Sequence, residues 1–257
     1  AVIGPFAERL SSMFGGYAYP CMTSGFLGQI LDPEADMRME GFADMARRMF
    51  DVDNMMKKMY RDPTRSFQEN LNTWLKEDYG MITLTDALKE EFKDTEVLFH
   101  YGSHADRDDW KEEIAEAAKV AEKADVVIMA LGEVTGFGPE ATSGEGTNNP
   151  DLRLPGHQQA LLEACAAVGK PVVMVLFNGR PLALKDAEPL CNAILDAWYP
   201  GPSAGQTVAA TLSGRLNPGG RLTTTFPQIS SQCPLYYGHM TGSSYTNIKQ
   251  KPDPTVL

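Results

Sequence analysis

Residues 125–131 read Asp-Val-Val-Ile-Met-Ala-Leu, and residues 171–177 read Pro-Val-Val-Met-Val-Leu-Phe. Neither run alternates apolar with polar positions, as a strand with one wet face would. Continuous apolar runs of this kind are strands covered on both faces, which is the pattern of a parallel sheet between helical layers. Between them Pro155 opens a helix that carries Leu161, Leu162, Cys165 and Val168 on one face and stops at Gly169. One strand-helix-strand unit is thereby set, and its neighbours extend it.

Upstream, Thr85 or Asp86 is placed to cap a helix through Phe92, and Glu96 to Phe99 follows as a short strand. Asp108 and Asp109 then precede Trp110, from which Ile114, Ala117, Ala118 and Ala121 recur at helical spacing. Downstream, Ala193 to Leu195 leads to Trp198-Tyr199, Ala204 to Leu212 reads as a short helix, and Arg221 to Phe226 as a last strand. The expected fold is α/β: an open, mostly parallel sheet with helices on both faces. Residues 21–83 break this rhythm and hold most of the ten methionines that lie between Met13 and Met81, out of thirteen in all. They read as a helical insertion near the N-terminus whose methionines fill a small core of their own, or else as an adaptable binding surface. The α/β domain is expected over 1–245, with a polar tail over 246–257. The chain opens on Ala1-Val2-Ile3-Gly4-Pro5, which looks like the end of a buried strand, with no initiator methionine and no signal-peptide pattern. It therefore reads as part of a longer polypeptide.

Composition narrows the function classes. Acidic residues outnumber basic ones 34 to 23, for a formal net charge of −11. That balance, without a Lys/Arg cluster, argues against nucleic-acid partners and anionic membrane surfaces. No apolar run approaches the roughly 20 residues of a membrane span. Four scattered cysteines without a CxxC pair point to neither a disulfide framework nor zinc, and fit a reducing, cytoplasmic setting.

Ligands of an open parallel sheet bind at the carboxyl ends of its strands. Here Leu131 is followed by the 22-residue segment GEVTGFGPEATSGEGTNNPDLR, which carries Glu133, Glu140 and Glu145. Phe177 is followed by Asn178-Gly179-Arg180-Pro181, and Tyr199 by Pro200-Gly201. A connection as long as the first is usually functional or disordered, and it is expected among the more mobile segments. Its glycines match neither GxGxxG nor a phosphate-binding loop, so no nucleotide cofactor is expected. His100 and His104, with Asp106, Asp108 and Asp109 nearby, read as a solvated loop rather than a metal site. His157 and His239 stand apart from any nucleophile motif. Glu145, flanked by Gly144 and Gly146, reads either as a solvated loop carboxylate or as an acid that can swing over a pocket.

Several ordered motifs then resemble one family. They are LGE at 131–133, SGEG at 143–146, DLRLPGHQQALL at 151–162, KPVVMVLFNGRPLAL at 170–184, AWYPG at 197–201 and NPGGRLTTTFP at 217–227. Together they resemble the C-terminal α/β domain of glycoside hydrolase family 3, which includes β-glucosidases and β-xylosidases. The resemblance implies a retaining β-glycosidase acting on terminal β-linked sugars, in which a separate N-terminal barrel carries the aspartate nucleophile and this domain lends an acid/base glutamate. No cofactor and no metal are implied, and the partners are a glycoside substrate and the barrel of the same polypeptide. Counted from the LPG motif, the acid/base falls on Glu145, ten positions before Pro155; counted from the LGE motif, it falls on Glu140, seven after Glu133. Glu145 is preferred because SGE and LPG both match around it, and Glu140 is second. Relatives commonly carry an arginine four residues after this glutamate, where Asn149 stands here. A second reading is a non-catalytic carbohydrate-binding or interaction module of the same fold.

Overall fold

A computed structural model describes residues 1–31, 42–102, 109–136, 141–145, 147 and 149–236. Five strands form one sheet: β1 (Val2–Ile3), β2 (Phe99–His100), β3 (Val127–Gly132), β4 (Val172–Phe177) and β5 (Ala193–Asp196). Their order is β2-β1-β3-β4-β5, and every pairing is parallel. The longest pairing runs in register from Val127 opposite Val172 to Gly132 opposite Phe177. These are the two continuous apolar runs.

The pleat sends successive side chains of β3 and β4 to opposite faces. Val127, Met129 and Leu131 of β3, with Val172, Met174 and Leu176 of β4, join one core, which is closed by Ile114, Ala117 and Ala121 of α6 (Trp110–Glu122) and Leu161, Leu162 and Cys165 of α7 (Gln158–Ala166). Ala130, Val175 and Phe177 face the other core, with Leu84, Ala87 and Leu88 of α5 (Leu84–Glu91) and Ala204, Val208 and Ala209 of α8 (Ala204–Leu212). Small residues on α8 let it lie close to α5: Gly205 sits against the carbonyls of Ile82 and Thr83.

The insertion is helical, as its sequence predicts. It comprises α1 (Tyr19–Leu31), α2 (Phe42–Met49), α3 (Val52–Met59) and α4 (Phe67–Tyr79). Asp51 caps α3 by accepting from the Asn54 amide at 3.1 Å, and a reciprocal box of Ser66 and Glu69 starts α4. Among the described residues the insertion builds no core of its own. Met55, Met59, Leu71, Trp74 and Leu75 bury in the same cluster as Val2, Phe6 and Phe177, linked through Leu10 and Met13 of the N-terminal segment. Met45 and Met49, by contrast, are exposed.

Local chemistry moved several boundaries. The cap of α5 is Thr83, whose hydroxyl accepts from the Asp86 amide at 3.1 Å, two residues before the expected Thr85. Helix α7 starts at Gln158 rather than Pro155, and the Gln158 side chain ties this start to β3: it accepts from the Gly132 amide and donates to the Gly132 carbonyl, both at 2.8 Å. The strand expected at Glu96–Phe99 is confined to Phe99–His100. The strand expected at Arg221–Phe226 is absent. Its residues from Arg221 to Thr225 are exposed and make no ladder bonds, and the segment is anchored only at its end, where Phe226 packs edge-on against Trp198. Its threonines favour extended backbone, but β-propensity makes a strand only where the side chains pack on a half-buried surface, and these are exposed. The tail at 246–257 lies outside the described residues, and no described helix is long and apolar enough to cross a membrane.

Gly132 ends β3 with φ of 154°, and a Cβ built on it would lie 1.8 Å from the Phe177 carbonyl oxygen. Alanine there must push β3 from β4 at the point where both strands deliver their loops. Gly132→Ala is expected to destabilise the chain by about 2–4 kcal/mol, read by urea unfolding. A midpoint within error of the parent would show that this close approach is not needed.

Candidate active site

Three loops leave the carboxyl ends of β3, β4 and β5 side by side. The first begins with Glu133, whose amide donates to the Phe177 carbonyl at 2.8 Å, so the sheet's hydrogen bonding continues into the loop. Its side chain is 1% exposed. Burying an ionised carboxylate requires a partner cation. Arg180, three residues past β4, supplies it: Nε and Nη2 both donate to Glu133 Oε1, at 2.9 and 2.7 Å. The same guanidinium donates from Nη1 to the Asn149 carbonyl at 2.5 Å and from Nη2 to the Asp151 carbonyl at 3.1 Å.

The loop after Glu133 is tied to itself as well. Thr142 donates its amide to the Val134 carbonyl at 2.8 Å, and its hydroxyl accepts from the Val134 amide at 3.0 Å. Gly136 and Ser143 bond at 3.2 Å, and Thr147 closes a turn onto the Gly144 carbonyl at 3.0 Å. The Asn149 side chain donates to the Thr142 carbonyl at 3.3 Å. In its described parts, therefore, the expected mobile loop has both stems fastened to its own domain.

From the third loop, Tyr199 reaches under this structure and donates its hydroxyl to Thr135 Oγ1. Burial is the main cause that pushes the Tyr199 hydroxyl up to about 12, so it remains a neutral donor. Its ring needs the space beside Gly179, where a Cβ would fall 2.0 Å from the phenol oxygen. Thr135, Gly144, Thr147, Asn149, Arg180 and Tyr199 are among the residues around an open cleft of about 690 Å³.

Glu145 stands on the Gly144–Thr147 turn, whose end residues line this cleft, and it is exposed. Tyr17, in the N-terminal segment before α1, donates its hydroxyl to the Glu145 carboxylate, and that bond raises the phenol above its usual range. Glu140 lies outside the described residues, as do His104, Asp106, Asp108 and His239. His100 is taken up locally, its Nδ1 accepting from the Gly102 amide at 3.0 Å. His157 stacks on Trp110 with ring centres 4.1 Å apart. Among the described residues, no three His, Cys, Asp or Glu side chains converge as a metal would need. Tyr17, Tyr199 and the pairing of Arg180 with Glu133 were not legible as site features. The odd connector Asn178-Gly179-Arg180-Pro181 was the signal available for Arg180.

The chain matches the family model described as the glycosyl hydrolase family 3 C-terminal domain over residues 1–254. A periplasmic beta-glucosidase of Salmonella typhimurium is 41% identical over 137 residues, covering 53% of this chain and 17% of that protein. A beta-xylosidase of Formosa agariphila is 38% identical over 157 residues, covering 61% and 21%. Among solved structures, a mutant beta-glucosidase from Listeria innocua in complex with laminaribiose superposes with a TM-score of 0.57 at 34% identity, over 71% of this chain and 24% of that one. The chain thus spans about a fifth of the length of these curated relatives.

The far end of the loop offers a pH test. Asp151 accepts from the Arg153 side chain at 2.7 and 3.0 Å and from its amide at 3.0 Å, and these bonds hold its carboxyl at about 2, with a smaller contribution from Ser230. A carboxyl depressed in the folded state stabilises it above the unfolded value near 3.8 and loses that contribution as pH falls through about 2. Asp151→Asn is expected to lower stability above pH 4 by up to about 1 kcal/mol, the range of exposed pairs. The gap to the parent should close towards pH 2. Melting curves of both proteins across this range check it, and a gap independent of pH would exclude the ion pair as its cause.

Proposed function

The chain belongs to glycosyl hydrolase family 3, and on that premise we propose that it supplies the acid/base loop of a retaining β-glycosidase acting on terminal β-linked sugars. Residues 1–245 form the α/β domain in this reading and 246–257 a polar tail, while the nucleophile and most of the sugar pocket belong to a barrel of the same polypeptide. The observation that carries the reading is Glu145: an exposed carboxylate on a turn whose end residues Gly144 and Thr147 line a cleft over the carboxyl ends of β3, β4 and β5, on a loop fastened at both stems. Glu140 remains the second choice.

The chemistry sets what is required of it. In a retaining mechanism two carboxyl groups stand about 5–5.5 Å apart; one attacks the anomeric carbon while the other protonates the departing oxygen, then takes a proton from water in the second step. To be an acid near neutrality, that second group needs desolvation and a like-charged neighbour. Glu145 is exposed, so the described residues do not supply the desolvation. Docking of the barrel against the cleft would provide both. The compartment follows the parent polypeptide: four free cysteines fit a reducing cytoplasm, whereas the Salmonella relative is named periplasmic.

Two outcomes are expected. The 257-residue chain alone should hydrolyse no aryl β-glucoside; turnover by a preparation free of contaminating enzyme would contradict the shared site. In the full-length polypeptide, Glu145→Ala should slow substrates with poor leaving groups by about 10²–10⁴-fold. Activated aryl glycosides should lose far less in their first step, and azide should restore turnover by replacing the base. Rescue at Glu140→Ala instead would move the role to Glu140. Normal activity in both variants would leave a non-catalytic module as the reading.

A further inference from the structure

We infer that Arg180 is the positioning residue of the acid/base loop: one guanidinium, seated on the buried Glu133 carboxylate, sets both ends of the loop and with them the place of its catalytic glutamate. The inference rests on the proposed function of that loop, and it holds whether the glutamate is Glu145 or Glu140, since both lie between the fastened ends.

The geometry argues for it step by step. Glu133 is the first residue beyond β3, while Asn149 and Asp151 are at the loop's far end, and Arg180 bonds to all three. Arg180 is itself held, because its carbonyl accepts from the Asn178 side chain at 3.0 Å. Its strand β4 pairs directly with β3, Gly132 opposite Phe177. The clamp is therefore referred to the two longest strands of the sheet. From Asn149 the constraint passes on through its side-chain amide to the Thr142 carbonyl at 3.3 Å, and so to the Ser143-Gly144-Glu145 turn. A planar fork with several fixed donors suits this three-way contact; an ammonium, a point charge on a flexible stem, matches it poorly. A shift of about 1 Å in a catalytic group can lower a rate by about a hundredfold, so a loop held at both ends by one rigid group matters to chemistry as well as to folding.

Both Glu133 bonds fall on Oε1, and Oε2 is buried without a partner among the described residues. Deleting the guanidinium outright would strand this carboxylate and endanger the fold. Arg180→Lys keeps a cation for Glu133 and removes the fork. The pair Glu133→Gln with Arg180→Gln removes both charges together, which keeps the test available if lysine does not fold.

Two measurements decide it. In hydrogen exchange on the 257-residue chain, the Thr142, Ser143 and Thr147 amides should open about tenfold faster in either variant, with β3 and β4 protection unchanged. In the full-length polypeptide, kcat for poor leaving groups should fall about 10–100-fold while KM stays within about threefold. Activated aryl substrates should be spared, and the basic limb of the pH profile should move to lower pH as the acid becomes better solvated. Unchanged loop exchange overturns the clamp. A released loop with no change in leaving-group dependence or pH profile, in an enzyme whose Glu145→Ala or Glu140→Ala variant is rescued by azide, reduces Arg180 to a structural role and also overturns it. Absence of azide rescue at both glutamates is a separate result, which removes the reading on which the clamp rests.

Discussion

An ionised carboxylate buried at the end of a parallel strand is tolerated only beside a cation that satisfies it, and Glu133 meets that condition through Arg180. The two residues are 47 apart in sequence, yet β3 and β4 run parallel in register, so their carboxyl ends arrive together. The register is marked at its end by Gly132 opposite Phe177, where the strands approach so closely that a Cβ would fall 1.8 Å from the Phe177 carbonyl oxygen. Double-sided burial thus sets the two strands side by side, their register brings the ion pair together, and the ion pair fastens the loop. The polar contact nearest the cleft depends on the least polar stretch of the chain.

The helical insertion shares in this order. Its buried methionines and aromatics extend the core on one face of the sheet, so it is continuous with the domain it interrupts. Where the N-terminal segment turns into α1 it also meets the loop. Gly16 lies against Gly136, Cys21 donates its thiol to the Thr135 carbonyl at 3.0 Å, and Tyr17 reaches Glu145. Burial is the main cause that raises the Cys21 thiol above its usual range, so it acts here as a small packed group. The N-terminal segment and α1 therefore hold the loop as well as Arg180 does.

The fold was legible where one local rule acts alone. The runs at 125–131 and 171–177 are strands because nothing but double-sided burial explains them, and Ala204–Leu212 begins and ends where its pattern does. Reading failed where a partner outside the local pattern decides the outcome: Gln158 gives its side chain to Gly132, and Arg221–Phe226 holds strand-forming residues but enters no ladder. It failed too where neighbouring residues compete for one role, since Thr83 rather than Thr85 caps α5. The site divides in the same way. A long glycine-rich connection at a strand end marked the loop, and family motifs within it nominated Glu145 and Glu140. Tyr17 with Glu145, 128 residues apart, and Tyr199 with Thr135, 64 apart, are products of the assembled sheet and leave no mark on the sequence.

What the domain provides for the proposed chemistry is position, not environment. Glu145 is exposed and bonded to the hydroxyl of an exposed tyrosine, surroundings unlike the dry, like-charged ones in which a carboxylic acid stays protonated near neutrality. Those surroundings require a second surface closing over the cleft, and closure would have to displace the water around Tyr17 and Glu145. Position, by contrast, is already set, because the fork of Arg180 and the turn at Gly144 need nothing from outside the chain. Dividing the work in this way has a physical advantage. Ordering a loop during docking would spend part of the association free energy on conformational entropy, about 1–2 kcal/mol for each residue fixed. A loop fastened beforehand spares most of that penalty and leaves the docking contacts free to desolvate the acid.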